Sequence, residues 1–133
     1  MEYLIGLVLS LVVAGTATGV GFDRERAFYP VLLIVIASYY VLFASMGASG
    51  RVVILESVMA AVFLLAAVIG FRGSLWVVVA ALLAHGIFDL IHSRVINDPG
   101  VPHWWPGFCL AFDVVAGGFL AVLLTRRKSM GAN

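Results

Sequence analysis

The sequence predicts an all-α integral membrane protein, a bundle of five transmembrane helices that forms a single domain over residues 1–133. Three observations lead there. Hydrophobic residues make up 63% of the chain and charged residues 11%, against roughly 45–50% and about 25% in soluble domains. Mean hydropathy is +1.12. The apolar residues also fall in runs of about 18–20, the length of helix that crosses a hydrocarbon core. So apolar a surface has to face lipid, which excludes a cytosolic enzyme, a disordered regulator and a disulfide-stapled secreted domain. The lone Cys109 has no internal partner. Net charge is +1 with the basic residues dispersed, so no nucleic-acid partner is expected.

Span one runs from about Tyr3 to Val20. It is read as a retained helix rather than a cleaved signal, because Glu2 is acidic and no basic segment precedes it. The polar break Gly21 to Arg26 ends it. Span two covers about Tyr29 to Met46, with Pro30 in its first turn, where a missing N–H costs little. Gly47-Ala48-Ser49-Gly50-Arg51 makes a tight turn into span three, about Val52 to Ile69. Gly70 to Ser74 follows, and span four, about Leu75 to Ile96, is the least purely apolar. The loop Asn97 to Pro106 carries three prolines, two Trp and His103, and it suits a stiff cap on the bilayer surface. Span five, about Gly107 to Thr125, is stopped by Arg126-Arg127-Lys128.

Five spans place the chain ends on opposite sides. With the carboxy terminus inside, the inner segments hold Arg24, Arg26, Arg72, Arg126, Arg127 and Lys128, and the outer ones only Arg51 and Arg94. The positive-inside rule therefore puts the amino terminus outside. The expected location is a cell membrane, as a multi-pass protein of the bacterial inner-membrane kind.

Ionisable residues inside a bilayer are costly, about 2.5–3.5 kcal/mol each on insertion scales, and mark functional sites. Three acids, Glu56, Asp89 and Asp113, and two histidines, His85 and His92, lie within spans three to five. Chain alternation and a rise of about 1.5 Å per residue put all five at about 6–16 Å below one boundary. With the amino terminus outside, that layer is in the outer half of the bilayer. His85, Asp89 and His92 follow i, i+4, i+7 spacing and share one helical stripe. Imidazole nitrogen with carboxylate oxygen is a ligand set for a divalent metal such as zinc. His85, Asp89 and His92 are the expected metal ligands, with Glu56 and Asp113 as the catalytic carboxylates and Glu56 as general base. Two other readings stand beside this one. The layer could handle protons or substrate without metal, or it could be a hydrogen-bonded cluster that fixes helix register.

Smaller features read mostly as packing. Cys109, Asp113 and Gly117 share a stripe on span five, where Cys109 packs and Gly117-Gly118 lets helices approach. Gly6, Ser10, Ala14 and Ala17 form a small-residue face on span one. Ser57 and Ser93 bond their own helices, Tyr39 and Tyr40 serve as interface or cavity donors, and Arg94 pairs with Asp98 at the rim. No Lys lies within a span, which excludes a retinal Schiff base.

The pattern His85-x3-Asp89-x2-His92, then a Pro-rich loop and Cys109-x3-Asp113, with Glu56 one span earlier, resembles a group of small multi-pass bacterial membrane proteins of unknown function. That resemblance covers roughly residues 50–118 and implies a fold. A looser likeness, carried by His85, Asp89, His92 and a serine, is to the alkaline ceramidase and adiponectin-receptor hydrolases. It implies an intramembrane zinc ion and attack on lipid amides or esters. The expected function is thus a metal-dependent hydrolase acting on a lipid-like or apolar substrate. Alternatives are a metal-ion or proton transporter, or a non-catalytic lipid- or partner-binding subunit. Expected partners are membrane lipids and a second copy of the chain.

Overall fold

The structure, a computed structural model, describes residues 1–130, with the side chains of Lys128 and Met130 left aside. It consists of five long helices: α1 (Glu2–Val20), α2 (Phe28–Gly47), α3 (Gly50–Arg72), α4 (Trp76–Val95) and α5 (Trp105–Met130). A short 3-10 turn, Phe22–Arg24, joins the first two. All five helices are long and apolar enough to cross a membrane. Their ends differ from the expected spans by a few residues, with α5 running into the basic stop segment.

The breaks are chemical. Gly21 ends α1 at φ 85°, in the left-handed region that glycine enters without a Cβ clash. Ser49 caps α3 by accepting a hydrogen bond from the Val52 N–H. At the far end of α3, the Arg26 guanidinium donates to the carbonyls of Phe71 at 2.6 Å and Gly70 at 3.3 Å, and also to Gly73. Those are orphan carbonyls of a helix terminus.

Helix α5 packs against α4 on one side and α1 on the other, while α2 packs mainly on α3. Lipid tails are as apolar as leucine, so small residues that permit close approach carry much of this packing. On α1 the stripe Gly6, Ser10, Ala14, Ala17 is buried. A methyl added at Gly6 would run into the Phe108 carbonyl, and the Ser10 hydroxyl donates to the Phe112 carbonyl at 2.9 Å. The small-residue face of span one is therefore covered within the chain by α5. Between α4 and α5 the tight glycine is Gly86, close to Leu110 and Asp113. The approach expected of Gly117-Gly118 is looser. A methyl at Gly117 would meet Leu82 and Leu83 at ordinary contact distance, and one at Gly118 would meet nothing.

Large apolar side chains such as Leu4, Ile54, Leu65, Ile87 and Val122 point outward along every span. The enclosed core is built from Leu33, Tyr40, Phe63, Val78, Leu82, Phe112 and Leu120. α1 and α2 do not pack on each other among the described residues. The gap between them is an apolar groove of about 310 Å³, walled by residues of α1, α2 and α5 that include Ile36, Phe108 and Cys109.

Candidate intramembrane metal centre

The five ionisable groups do face one interior. Glu56, His85, Asp89, His92 and Asp113 are each at most 2% exposed. α4 supplies His85, Asp89 and His92 from its buried face. α3 supplies Glu56, α5 supplies Asp113, and the aromatic side chains of Tyr40, Phe63 and Phe88 close the remaining sides.

Within that layer the groups divide into two centres. In the first, His85 Nδ1 lies 2.7 Å from Asp113 Oδ2 and 3.5 Å from Asp89 Oδ2. One ligand atom from each of His85, Asp89 and Asp113 falls within 4.8 Å of the others, the one compact group of three among the described residues. In the second, His92 Nε2 is 2.6 Å from Glu56 Oε1. Tyr40 joins the two centres. Its hydroxyl donates to Asp89 Oδ1 at 2.6 Å, and its ring stacks on His92 with centroids 4.1 Å apart.

The grouping differs from the expected one at two residues. His92 was expected among the ligands and instead meets Glu56. Asp113 was expected as a separate catalytic carboxylate and instead completes the group around His85. The i, i+7 spacing explains this, because two turns separate His85 from His92 by about 10 Å along the axis. That is too far for one small ion to take both, whereas i, i+4 brings His85 and Asp89 together.

Each of the three acids has one bonded oxygen and one without a partner: Glu56 Oε2, Asp89 Oδ2 and Asp113 Oδ1. Unsatisfied polar atoms deep in a bilayer cost several kcal/mol apiece. The donor chemistry of His85, Asp89 and Asp113 fits a divalent ion. Zinc bond lengths of about 2.0–2.2 Å place tetrahedral donors roughly 3.3–3.5 Å apart. The His85–Asp89 separation matches that, while His85 and Asp113 are at hydrogen-bond distance and would have to part to hold an ion between them. Two carboxylates, a neutral imidazole and a divalent cation sum to zero charge.

The other expected residues are placed as follows. Cys109 is buried in the core and is not among the grouped ligand atoms. Ser57 donates to the Val53 carbonyl of its own helix at 2.7 Å. Ser93 is exposed on α4. Arg94 does not pair with Asp98. Asp98 folds back, accepting the Gly100 N–H at 2.8 Å, and is buried. Tyr39 is part-exposed and lies against Trp105, while Tyr40 is the cavity donor. Its membership could be read from the buried stripe Leu33, Ile36, Tyr40, Ala44 on α2.

Comparison with protein-family models, with curated proteins and with solved structures finds no match to this chain.

Proposed function

We propose that this multi-pass protein, of the bacterial inner-membrane kind, holds a divalent metal ion such as zinc on His85, Asp89 and Asp113 and hydrolyses a lipid-like ester or amide beside it. The observation that carries the reading is a fully buried pair of carboxylates, Asp89 and Asp113, that groups with the His85 imidazole, each acid keeping one oxygen without a hydrogen-bond partner. Three protein ligands leave a further position free, which is the pattern of catalytic rather than structural metal sites. An ion held there supplies Lewis acidity and makes a bound water nucleophilic near neutral pH.

The protein's own groups supply the proton handling. The Glu56–His92 pair lies one tyrosine ring away from the trio. Glu56, whose Oε2 has no hydrogen-bond partner, would take up the proton of the attacking water by way of one bridging water as the C–O bond to the acyl carbon forms. It returns that proton to the alcohol or amine as the old ester or amide bond breaks. Tyr40 holds Asp89 in place. The groove between α1 and α2 offers an apolar slot for an acyl chain, with Cys109 and Ile36 one turn from Asp113 and Tyr40 respectively. Compared with the alkaline ceramidase and adiponectin-receptor hydrolases, the trio has carboxylates where those proteins use further histidines. Transport across the whole bilayer has no comparable support, since the inner thirds of the five spans carry no His, Asp or Glu.

The test is fatty-acid release from ester and amide lipids by zinc-loaded protein in liposomes. Wild-type release should stop on chelation and with Asp113→Asn. In Glu56→Gln it should fall by about 10²–10⁴-fold, the usual worth of a general base. Stoichiometric zinc without release from either lipid class would reject hydrolysis while leaving the metal site standing.

A further inference from the structure

Beneath the loop joining α4 to α5 lies a second, polar cavity of about 450 Å³. His92, Ser93, Asn97, Asp98 and His103 line it, with prolines and aliphatic residues between them. No Lys or Arg lines it, so it has no permanent positive charge to hold a phosphate or carboxylate. What it does offer is cation chemistry: a carboxylate, two imidazoles, an amide oxygen and a hydroxyl. Asp98 is only 8% exposed. One of its oxygens is used by the Gly100 N–H, and the other, Oδ2, is buried without a partner. Gly100 seats the loop on the Phe43 carbonyl so closely that no side chain fits there.

His92 belongs both to this cavity and to the buried layer. Its ring stacks on Tyr40, whose hydroxyl bonds Asp89. One imidazole and one phenol therefore separate the cavity from the trio. We infer that this cavity is the loading vestibule through which a hydrated divalent cation reaches His85, Asp89 and Asp113. The inference rests on the reading of that trio as a cation site.

The two places divide the work of binding. Among the described residues, His92, Asp98 and His103 do not form a compact group of three as the trio does, so an ion here keeps its water. Six waters at about 30 Å³ each occupy roughly 180 Å³, well within the cavity. Clefts lined by charge of one sign raise the arrival rate of the opposite charge about 10–10³-fold, and the unpartnered Asp98 oxygen supplies that charge. The ion sheds its water only on passing the His92–Tyr40 stack, where the anhydrous donors of the trio replace it.

The experiment uses the purified full chain, stripped of metal by chelation and mixed with zinc alone, with uptake followed in time against a zinc indicator. Asp98→Asn combined with His103→Ala should load about tenfold more slowly and still reach the wild-type endpoint of one ion per chain. Asn keeps the acceptor for the Gly100 N–H, so the turn survives. His103→Ala alone, on an exposed side chain, should give a smaller slowing in the same direction. Unchanged rates at an unchanged endpoint would overturn the vestibule alone. Loss of the endpoint in the double variant would also overturn it, because Asp98 would then be a holding ligand. A wild-type chain that takes up no zinc would overturn the trio, and the vestibule with it.

Discussion

Tyr40 is the side chain on which the two halves of the polar layer meet. Its hydroxyl fixes one oxygen of Asp89, and its face covers His92. Tyr40→Phe keeps the stacked ring and removes only the donor, leaving Asp89 with no hydrogen-bonded oxygen. Groups that orient a metal ligand in this way are worth about 10–100-fold in affinity. Zinc titration of Tyr40→Phe should show weakening in that range, and an unchanged affinity would mean that Asp89 needs no orientation. Glu56→Leu has a different consequence, since it strands the His92 nitrogen in the bilayer. Stability should fall by about 1–3 kcal/mol, read as a lowered thermal midpoint in detergent, whereas Glu56→Gln retains an acceptor and should lose less. At this scale the sequence told which groups are buried but not which touch. Helical spacing put His85, Asp89 and His92 on one stripe, and the further choice between Glu56 and Asp113 as partners depends on how far along their axes α3 and α5 sit. The close approaches to α4 are Gly86 against Leu110 for α5 and Gly70 against Val78 for α3, and no single-helix periodicity contains them.

The helices are held by close approaches at a few small residues more than by apolar burial, and each approach can be probed separately. Gly6→Ala places a methyl into the Phe108 carbonyl and should force α1 off α5 at a cost of about 1–3 kcal/mol, as overpacking does. Gly118→Ala meets open space and should lie within about 0.5 kcal/mol of wild type. Equal midpoints for the two variants would show that α1 is not seated where described. The α1 contact was legible, because Gly6, Ser10, Ala14 and Ala17 repeat at helical spacing. The Gly117-Gly118 pair was a weaker guide, since a glycine pair in sequence does not say which neighbour comes near. The Pro-rich loop was expected as a stiff cap on the bilayer surface, and it closes over the polar cavity that His92 shares with the buried layer. Asp98 was misassigned to Arg94 because its nearest donor is the backbone two residues on, a local turn bond that wins over a solvated ion pair worth little.

Five apolar spans follow from composition and run length alone, because lipid imposes them on any sequence it accepts, whereas the polar layer follows from the positions of five ionisable residues in alternating spans. Orientation rests on six inner basic residues against two outer ones. It can be checked with an impermeant maleimide on intact cells, since Cys109 is 1% exposed and gives little background. Ser49→Cys, at the turn before α3, should label from outside, and Ser74→Cys, before α4, only after permeabilisation. The opposite pattern would invert the molecule and place the polar cavity beneath the α4–α5 loop on the inner face. The claim on which the function turns is a divalent ion inside the bilayer among three helices. Its most direct measurement is anomalous scattering at the zinc edge from crystals of the zinc-loaded chain. A single peak within about 2.0–2.2 Å of His85 Nδ1 and of one oxygen each from Asp89 and Asp113 is the result predicted. A zinc-loaded crystal with no peak between α4 and α5, or with its peak on other residues, would contradict it.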